Sequence, residues 1–489
     1  KTPLIIVFSS KSILVILVLA VITVSSMATP AYSAESTYAL DLGGPGKDYV
    51  WGVAGTDNGF IAAGYTDSYG KNSAFVIRVT NEGDVVWEEI IGSNTSDELI
   101  YDIGKVGDYY VLAGWNKTGA YNSQPIVFQV DGNGNLLSSK RVEYSGGISG
   151  WFFRVIPVTN ETYILVGYDR YYDIVALKLG INGSIVWSRS YHRSGDYVYM
   201  YGSALDNVSK TLYIAANEAH GGKTALIALN STDGSIIWSK EITITGSGNY
   251  VSMGVTVEEN HDILVYGYNK TTGNIDGFIC KLTPQGDPLW GAVFGASPQD
   301  MPMDAIVYNN TILLAGYTEM GGIPGNNSFI ASINQDGGLL WFNVYGGEGN
   351  DWFYRIRTSN GYLTGIGGTN SYTGNDDVFI VNMESNGNVT DCNIWRPIST
   401  AAVHYRSVSI TAATVAFTAN TLTASIIDYP SNVYRVHMPI IHICPQAAES
   451  VGGELIPLNT VAPYAGEAIV FLGVAAVSYM LIIMRKRST

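Results

Sequence analysis

A short apolar string ending in Gly-Tyr, or a close variant of it, recurs along most of this chain. It begins at Ile61 (IAAGY), Val111 (VLAGW), Ile164 (ILVGY), Tyr213 (YIAAN), Leu264 (LVYGY), Leu313 (LLAGY) and Leu363 (LTGIGG). A glycine in the following turn recurs with it, at Gly83, Gly134, Gly183, Gly234, Gly286, Gly337 and Gly387, so that successive marks lie 51, 49, 51, 52, 51 and 50 residues apart. Each unit holds four strand-like stretches. In the first unit these are 49–56, 60–65, 74–80 and 85–91, separated by Gly, Asn and Asp turns and carrying no helical period. Four antiparallel strands repeated about every 50 residues match one propeller blade. The expectation is therefore an all-β, seven-bladed β-propeller. The small residues of the IAAGY strand suit a position near the central channel.

Trp87, Trp187, Trp238, Trp290 and Trp341 each stand four residues after the turn glycine, whereas the second unit has Ser138 and the seventh Asp391 there. A large ring at one fixed blade position packs between neighbouring sheets. The seventh unit lacks its fourth strand, and the N-terminus offers one. Trp341 precedes Gly346-Gly347 by five residues, and Tyr38 precedes Gly43-Gly44 by five. Thr37–Leu42 is thus expected to close the last blade, with Tyr38 in the Trp position.

The strings Gly43-Gly44-Pro45-Gly46-Lys47-Asp48 and Gly346-Gly347-Glu348-Gly349-Asn350-Asp351 each precede a strand, a Gly-Tyr or Gly-Gly strand and a Gly turn. This pattern resembles the SBBP-type β-propeller repeat of bacterial and archaeal surface proteins over about residues 36–392. The resemblance implies the fold and export, and no particular activity. The same string is similar to the calcium-binding nonapeptide of β-helices, but here the copies stand a blade apart, so Asp48, Asp97, Asp196, Asp300 and Asp351 are read as turn caps. Residues 226–238 (LIALNSTDGSIIW) resemble the tryptophan-docking motif of pyrroloquinoline-quinone dehydrogenases. What is shared concerns blade packing, and no adjacent cysteine pair accompanies it.

The ends suggest export and anchoring. Lys1 and Lys11, an apolar run to Val24 and small residues near Ser33 and Ala34 form a secretory-signal pattern. A second apolar run, Ala465 to Met484, is followed by Arg485-Lys486-Arg487. Twenty residues at about 1.5 Å each give roughly 30 Å, the thickness of a bilayer core, and the basic stop sets the C-terminus inside. The expected order is signal 1–34, propeller 35–392, a disulfide-tied β stalk 393–446, a spacer 447–464, a transmembrane helix 465–484 and a basic tail 485–489. That order implies a single-pass cell-membrane protein with its propeller outside, contacting the bilayer through the C-terminal helix.

Cys392 and Cys444 bracket the stalk and are expected to pair in an oxidising exterior, with Cys280 a buried free thiol. Ten Asn-x-Ser/Thr sequons, at Asn94, Asn116, Asn160, Asn182, Asn207, Asn230, Asn269, Asn309, Asn326 and Asn388, suit a glycosylated exterior domain.

The net charge of −15, without a basic stripe, argues against a nucleic-acid partner. The six His are scattered, and no Gly-x-Ser-x-Gly, HExxH or Cys/His metal spacing appears. No catalytic residue, metal ligand or cofactor is nominated. The expected role is a non-enzymatic binding, adhesion or envelope-scaffolding module for a protein or glycan. The Tyr-rich strings 168–172 and 197–201 are candidate contacts. The alternatives are an extracellular hydrolase or lyase acting on polysaccharide or peptide, and a self-assembling surface-layer or filament subunit.

Overall fold

The computed structural model describes residues 37–444, apart from 94–95, 118–122, 146–148, 220–221, 247 and 296–297. Seven antiparallel sheets follow one another around an axis. The first six blades take their four sequence-consecutive strands from residues 48–92, 97–144, 150–192, 198–244, 249–294 and 300–345. The seventh combines three strands from 351–384 with Tyr38–Leu42, which pairs in register with Val378–Asn382. The N-terminal strand therefore closes the ring.

The apolar side chains gather in seven clusters. A typical one joins Ile61, Ala63 and Val76 of the first blade to Ile100, Leu112 and Phe128 of the second. Alternating burial along each strand is what lets neighbouring sheets share these layers. The IAAGY strand is second in its blade, and the strand before it, Asp48–Thr56 in the first unit, is innermost.

The expected stalk is absent. Residues 395–444 run backwards around the circumference and add a fifth, outer strand to every blade. Trp395–Ile398 joins the sixth blade, Arg406–Val408 the fifth, Ile410–Thr414 the fourth and Thr418–Thr421 the third. Ala424–Asp428 then joins the second, Asn432–Arg435 the first and Ile440–Cys444 the seventh. Each of the seven clusters receives apolar side chains from this belt, among them Val403, Phe417, Ile426, Tyr429 and Met438. Fully burying such a side chain, as at Val403 and Met438, stabilises the fold by about 1.5–3 kcal/mol. The strand edges of the blades, not a separate module, are what this segment satisfies. Cys392 and Cys444 lie where the belt begins and ends; they are disulfide-bonded, with Cα atoms 5.5 Å apart. The belt is buckled.

The fold class is corrected accordingly. Among the described residues the chain is an all-β propeller of five-stranded blades with one short helix, the 3-10 turn Thr400–Val403. No described helix is long and apolar enough to cross a membrane. The expected transmembrane helix 465–484 lies outside the described residues, as do the signal, the spacer and the basic tail. Single-pass anchoring and a bilayer contact through that helix are therefore not supported by the described residues.

Candidate binding site on the propeller axis

Every innermost strand carries a β-bulge at the same place. The residue left without a cross-strand partner is Trp51, Tyr101, Phe153, Tyr201, Met253, Met303 or Tyr354 in blades one to seven. A bulge re-aims one side chain out of the pleat, and here it does so seven times around one axis. The first six of these residues line a well of about 460 Å³, together with Trp115, Trp151, Tyr168, Tyr268 and Met301.

The Gly-Tyr signature is tied to this geometry. A Cβ on Gly64, Gly114, Gly167, Gly267, Gly316 or Gly367 would overlap the carbonyl oxygen of the inner residue two before the bulge, for instance Tyr49 O at Gly64. Glycine leaves room for the bulged strand to lean across, and the following Trp115, Tyr168 and Tyr268 then reach the wall of the well.

The rings form a continuous arc. Trp51 stacks on Tyr354 with centroids 4.0 Å apart, and Tyr101 follows at 5.5 Å from Trp51. Phe153 lies 4.9 Å from Tyr101, and Tyr201 lies 6.0 Å from Phe153. A second line leaves the well: Phe153 stacks on Tyr168 at 5.2 Å, Tyr168 on Tyr172 at 5.8 Å, and Tyr197 lies 5.5 Å beyond. Tyr172 and Tyr197 are exposed. Burial raises the pKa of the Tyr101, Tyr168 and Tyr268 phenols and pushes that of Tyr201 up to about 12. The hydroxyls are therefore neutral donors and acceptors at physiological pH.

The position after each bulge reads Gly52, Asp102, Arg154, Gly202, Gly254, Asp304 and Arg355 around the ring. Inner strands approach so closely that a Cβ on Gly52 would lie 2.6 Å from the Asp102 Cα. Each Asp clasps the next blade: Asp102 accepts from Val155 N at 2.9 Å and Asp304 from Ile356 N at 3.0 Å. Arg154 donates Nε–H to Tyr201 O at 2.8 Å and Arg355 an Nη1 proton to Tyr354 O at 2.9 Å. The two guanidinium groups share Asp102 at 4.0 and 3.8 Å, and both line the well. Burial holds the Asp304 carboxyl above its ordinary range, with the nearby Arg355 opposing; burial, then Arg154, lowers Arg355.

The residues singled out by sequence lie elsewhere. The fourth-strand rings sit between blades, on the turn glycine of the next one. A Cβ on Gly134 would lie 3.1 Å from the Trp87 ring, and Gly234, Gly286, Gly337 and Gly387 stand likewise to Trp187, Trp238, Trp290 and Trp341. Tyr38 holds the same relation to Gly83 across the closing seam, at 3.1 Å. These turn glycines have φ between 74° and 91°, a backbone that also favours glycine. Trp87, Trp187 and Trp290 donate Nε1–H to Gly132 O, Ser231 O and Gln335 O.

Of the sequon residues, Asn116 and Asn269 are buried, at 1% and 4% exposure, and face no solvent. Asn160, Asn182, Asn207 and Asn309 are exposed; Asn230, Asn326 and Asn388 are intermediate; Asn94 is outside the described residues. Asp48, Asp300 and Asp351 each accept from a threonine or serine hydroxyl beside a blade-to-blade turn, as with Ser68 Oγ on Asp48 at 2.9 Å. Asp97 accepts from Asn72 at 3.3 Å, and Asp196 from Tyr197 N at 2.8 Å. Among the described residues no cluster of three His, Cys, Asp or Glu is placed to hold a metal. Cys280 is a buried free thiol, its pKa pushed up to about 12 by burial.

The axial ring was missed. Its signal was available, since the seven bulge residues recur about every 50 residues and five of them are aromatic.

Residues 72–315 match the PQQ_2 family model, described as outer membrane protein assembly factor BamB. Over those residues the repeats are similar to that family's. That match does not name the SBBP type that the Gly-Gly strings resemble. No curated protein matches the chain.

Among solved structures, Sqt1 from Chaetomium thermophilum is 13% identical, with 72% of this chain and 99% of that chain covered and a TM-score of 0.37. Polysaccharide lyase Uly1 is 9% identical, with 74% and 95% covered and a TM-score of 0.44. The WD40 domain of SCAP from fission yeast is 11% identical, with 80% and 96% covered and a TM-score of 0.33. No activity carries over at these identities.

Proposed function

We propose that this propeller is a non-enzymatic binding module whose ligand enters the aromatic well on its axis. The observation that carries the reading is the bulge repeated in all seven inner strands, which in six of them turns a large side chain into one shared cavity. Packing between blades is already provided by the fourth-strand rings and the belt. The axial rings also touch from blade to blade, yet they leave a cavity between them. A well of this volume lies within the range of small-molecule sites, about 300–1,000 Å³.

Binding is favoured over chemistry because Asp102 and Asp304, the carboxylates at the ring, are committed to backbone N–H groups of the next blade. The Cys392–Cys444 bond supports an exported, oxidising setting. The test compares the wild-type chain with Trp51→Ala and Tyr101→Ala against glycans, peptides and small aromatic acids, by tryptophan fluorescence and calorimetry. At least one class should bind the wild type and weaken about tenfold in each variant, as for loss of one stacking contact. If every ligand found binds the variants as it binds the wild type, the well is not the site.

A further inference from the structure

We infer that the axial well takes a carboxylated oligosaccharide, its sugar faces on the aromatic arc and its carboxylate on Arg154 and Arg355. This rests on the well being the binding site and names the ligand class.

Three features of the site converge on it. The first is the wall. Rings that carry hydroxyls, those of Tyr101, Tyr168, Tyr201 and Tyr268, alternate with Trp and Phe faces. Such a surface pairs with a ligand that has apolar C–H faces and hydroxyl edges together, as a pyranose does.

The second is the pair of arginines in the lining. In an acidic chain, two guanidinium groups stand at ring positions where three other blades have glycine. The aspartates take their hydrogen bonds from Val155 N and Ile356 N at 2.9 and 3.0 Å, and each arginine spends one N–H on a backbone carbonyl, which leaves the other guanidinium protons for a ligand. Their own approaches to Asp102, 4.0 and 3.8 Å, are long for a charge-assisted bond of about 2.7–2.9 Å. The arginine fork matches a carboxylate in two parallel bonds.

The third is the extent of the aromatic surface. The line Phe153, Tyr168, Tyr172, Tyr197 leads out of the well across the third and fourth blades to exposed rings. A single sugar in the well would leave this line unused, whereas an oligomer continues along it. An extended peptide is less suited, because the well is lined by side-chain rings, whereas strand addition draws its affinity from main-chain pairing.

The test is calorimetric titration of the full chain with an alginate-derived tetrauronate, with cellotetraose as the neutral control and tetraglutamate as the acidic peptide. Circular dichroism of each variant checks the fold. The tetrauronate is expected to bind at least about tenfold more tightly than cellotetraose, to weaken about tenfold in Arg355→Gln and in Arg154→Gln, and to weaken with added salt. Arg355→Lys should recover part of the loss, and Tyr172→Ala should weaken the tetrauronate more than the single uronic acid titrated alongside it. Equal binding of tetrauronate and cellotetraose, unchanged in the Arg variants, would overturn the carboxylate assignment and leave the well a neutral-glycan site. Arg-dependent binding of tetraglutamate without binding of tetrauronate would overturn the saccharide assignment. Absence of tetrauronate binding, with another ligand lost in Trp51→Ala, overturns this inference while the well remains the site.

Discussion

Opening the belt is the sharpest test of the architecture. Substituting Cys444→Ser leaves the sequence of the belt intact but unbuckles it beside the closing strand Tyr38–Leu42, which Ile440–Cys444 covers. The two cysteines are 52 residues apart. In the chain-entropy account a loop of that length contributes about 4 kcal/mol by constraining the unfolded chain. For about 400 residues unfolding with an entropy of roughly 2.1 cal/mol/K per residue, that corresponds to a fall of about 5 °C in Tm. Calorimetry of the variant, and of the wild type with and without reductant, measures it. Native-state hydrogen exchange should show faster opening first at Ile440–Cys444 and the closing strand, with the innermost strands unchanged. Reduced and oxidised protein melting within 1 °C of each other, with identical exchange at the seam, would refute the idea that the bond secures the belt.

Two further perturbations test the seam and the packing. Trp187 is 7% exposed and covers Gly234 of the next blade, so Trp187→Ala should cost about 3–5 kcal/mol in urea unfolding; a loss below 1 kcal/mol would show that the ring is not a blade contact. Asp41, in the closing strand, has its pKa raised from 3.8 to about 7 by burial first and then by neighbouring Asp377 and Asp351. Because the folded chain holds a proton there that the unfolded chain releases, stability should fall as pH rises from about 4 to about 7 and level off above. Asp48, Asp351 and Asp377 are raised as well and add to the slope in the same direction. Asp41→Asn should flatten this dependence in thermal midpoints taken between pH 4.5 and 8. A slope unchanged from the wild type would remove Asp41 as its source.

How much was legible depends on how far apart the interacting residues lie. Blade number, the four strands per blade and the N-terminal closure could be read because each is a local pattern at constant spacing. Tyr38 even reveals its partner, since its offset from Gly43-Gly44 matches that of Trp341 from Gly346-Gly347. The belt could not be placed. Its strands are three to five residues long, none forms a hairpin with a sequence neighbour, and each pairs with a blade edge fixed by tertiary structure. Asn432–Arg435, for example, pairs with Glu89–Gly92 more than 300 residues earlier. Residues 401–427 alternate Ala, Thr, Ser and Val as extended chain does, and nothing local distinguishes a stalk from a girdle.

The site was hidden for a different reason. Read one unit at a time, Gly-Tyr looks like strand punctuation, and its physical cause appears only when two strands are considered together. The bulge pushes an inner carbonyl towards the second strand, the second strand answers with glycine, and the bulged residue is freed to face the axis. The fourth blade departs from the pairing: it keeps the bulge and presents Tyr201 to the well with Ala216 where the others have glycine, and Asn217 follows it. Asn217 turns to its neighbouring blade, donating to Ser252 O at 2.9 Å and accepting from Ser252 N at 2.7 Å. The fifth and sixth blades present Met253 and Met303 at the bulge where the other five present rings. The aromatic arc therefore spans part of the circle, from Tyr354 through Trp51 to Tyr201, and its outward line leaves through the third and fourth blades. A fold with near seven-fold symmetry thus carries its rings mainly on one side of the axis, with a line of them running outward, and an oligomeric ligand would use both.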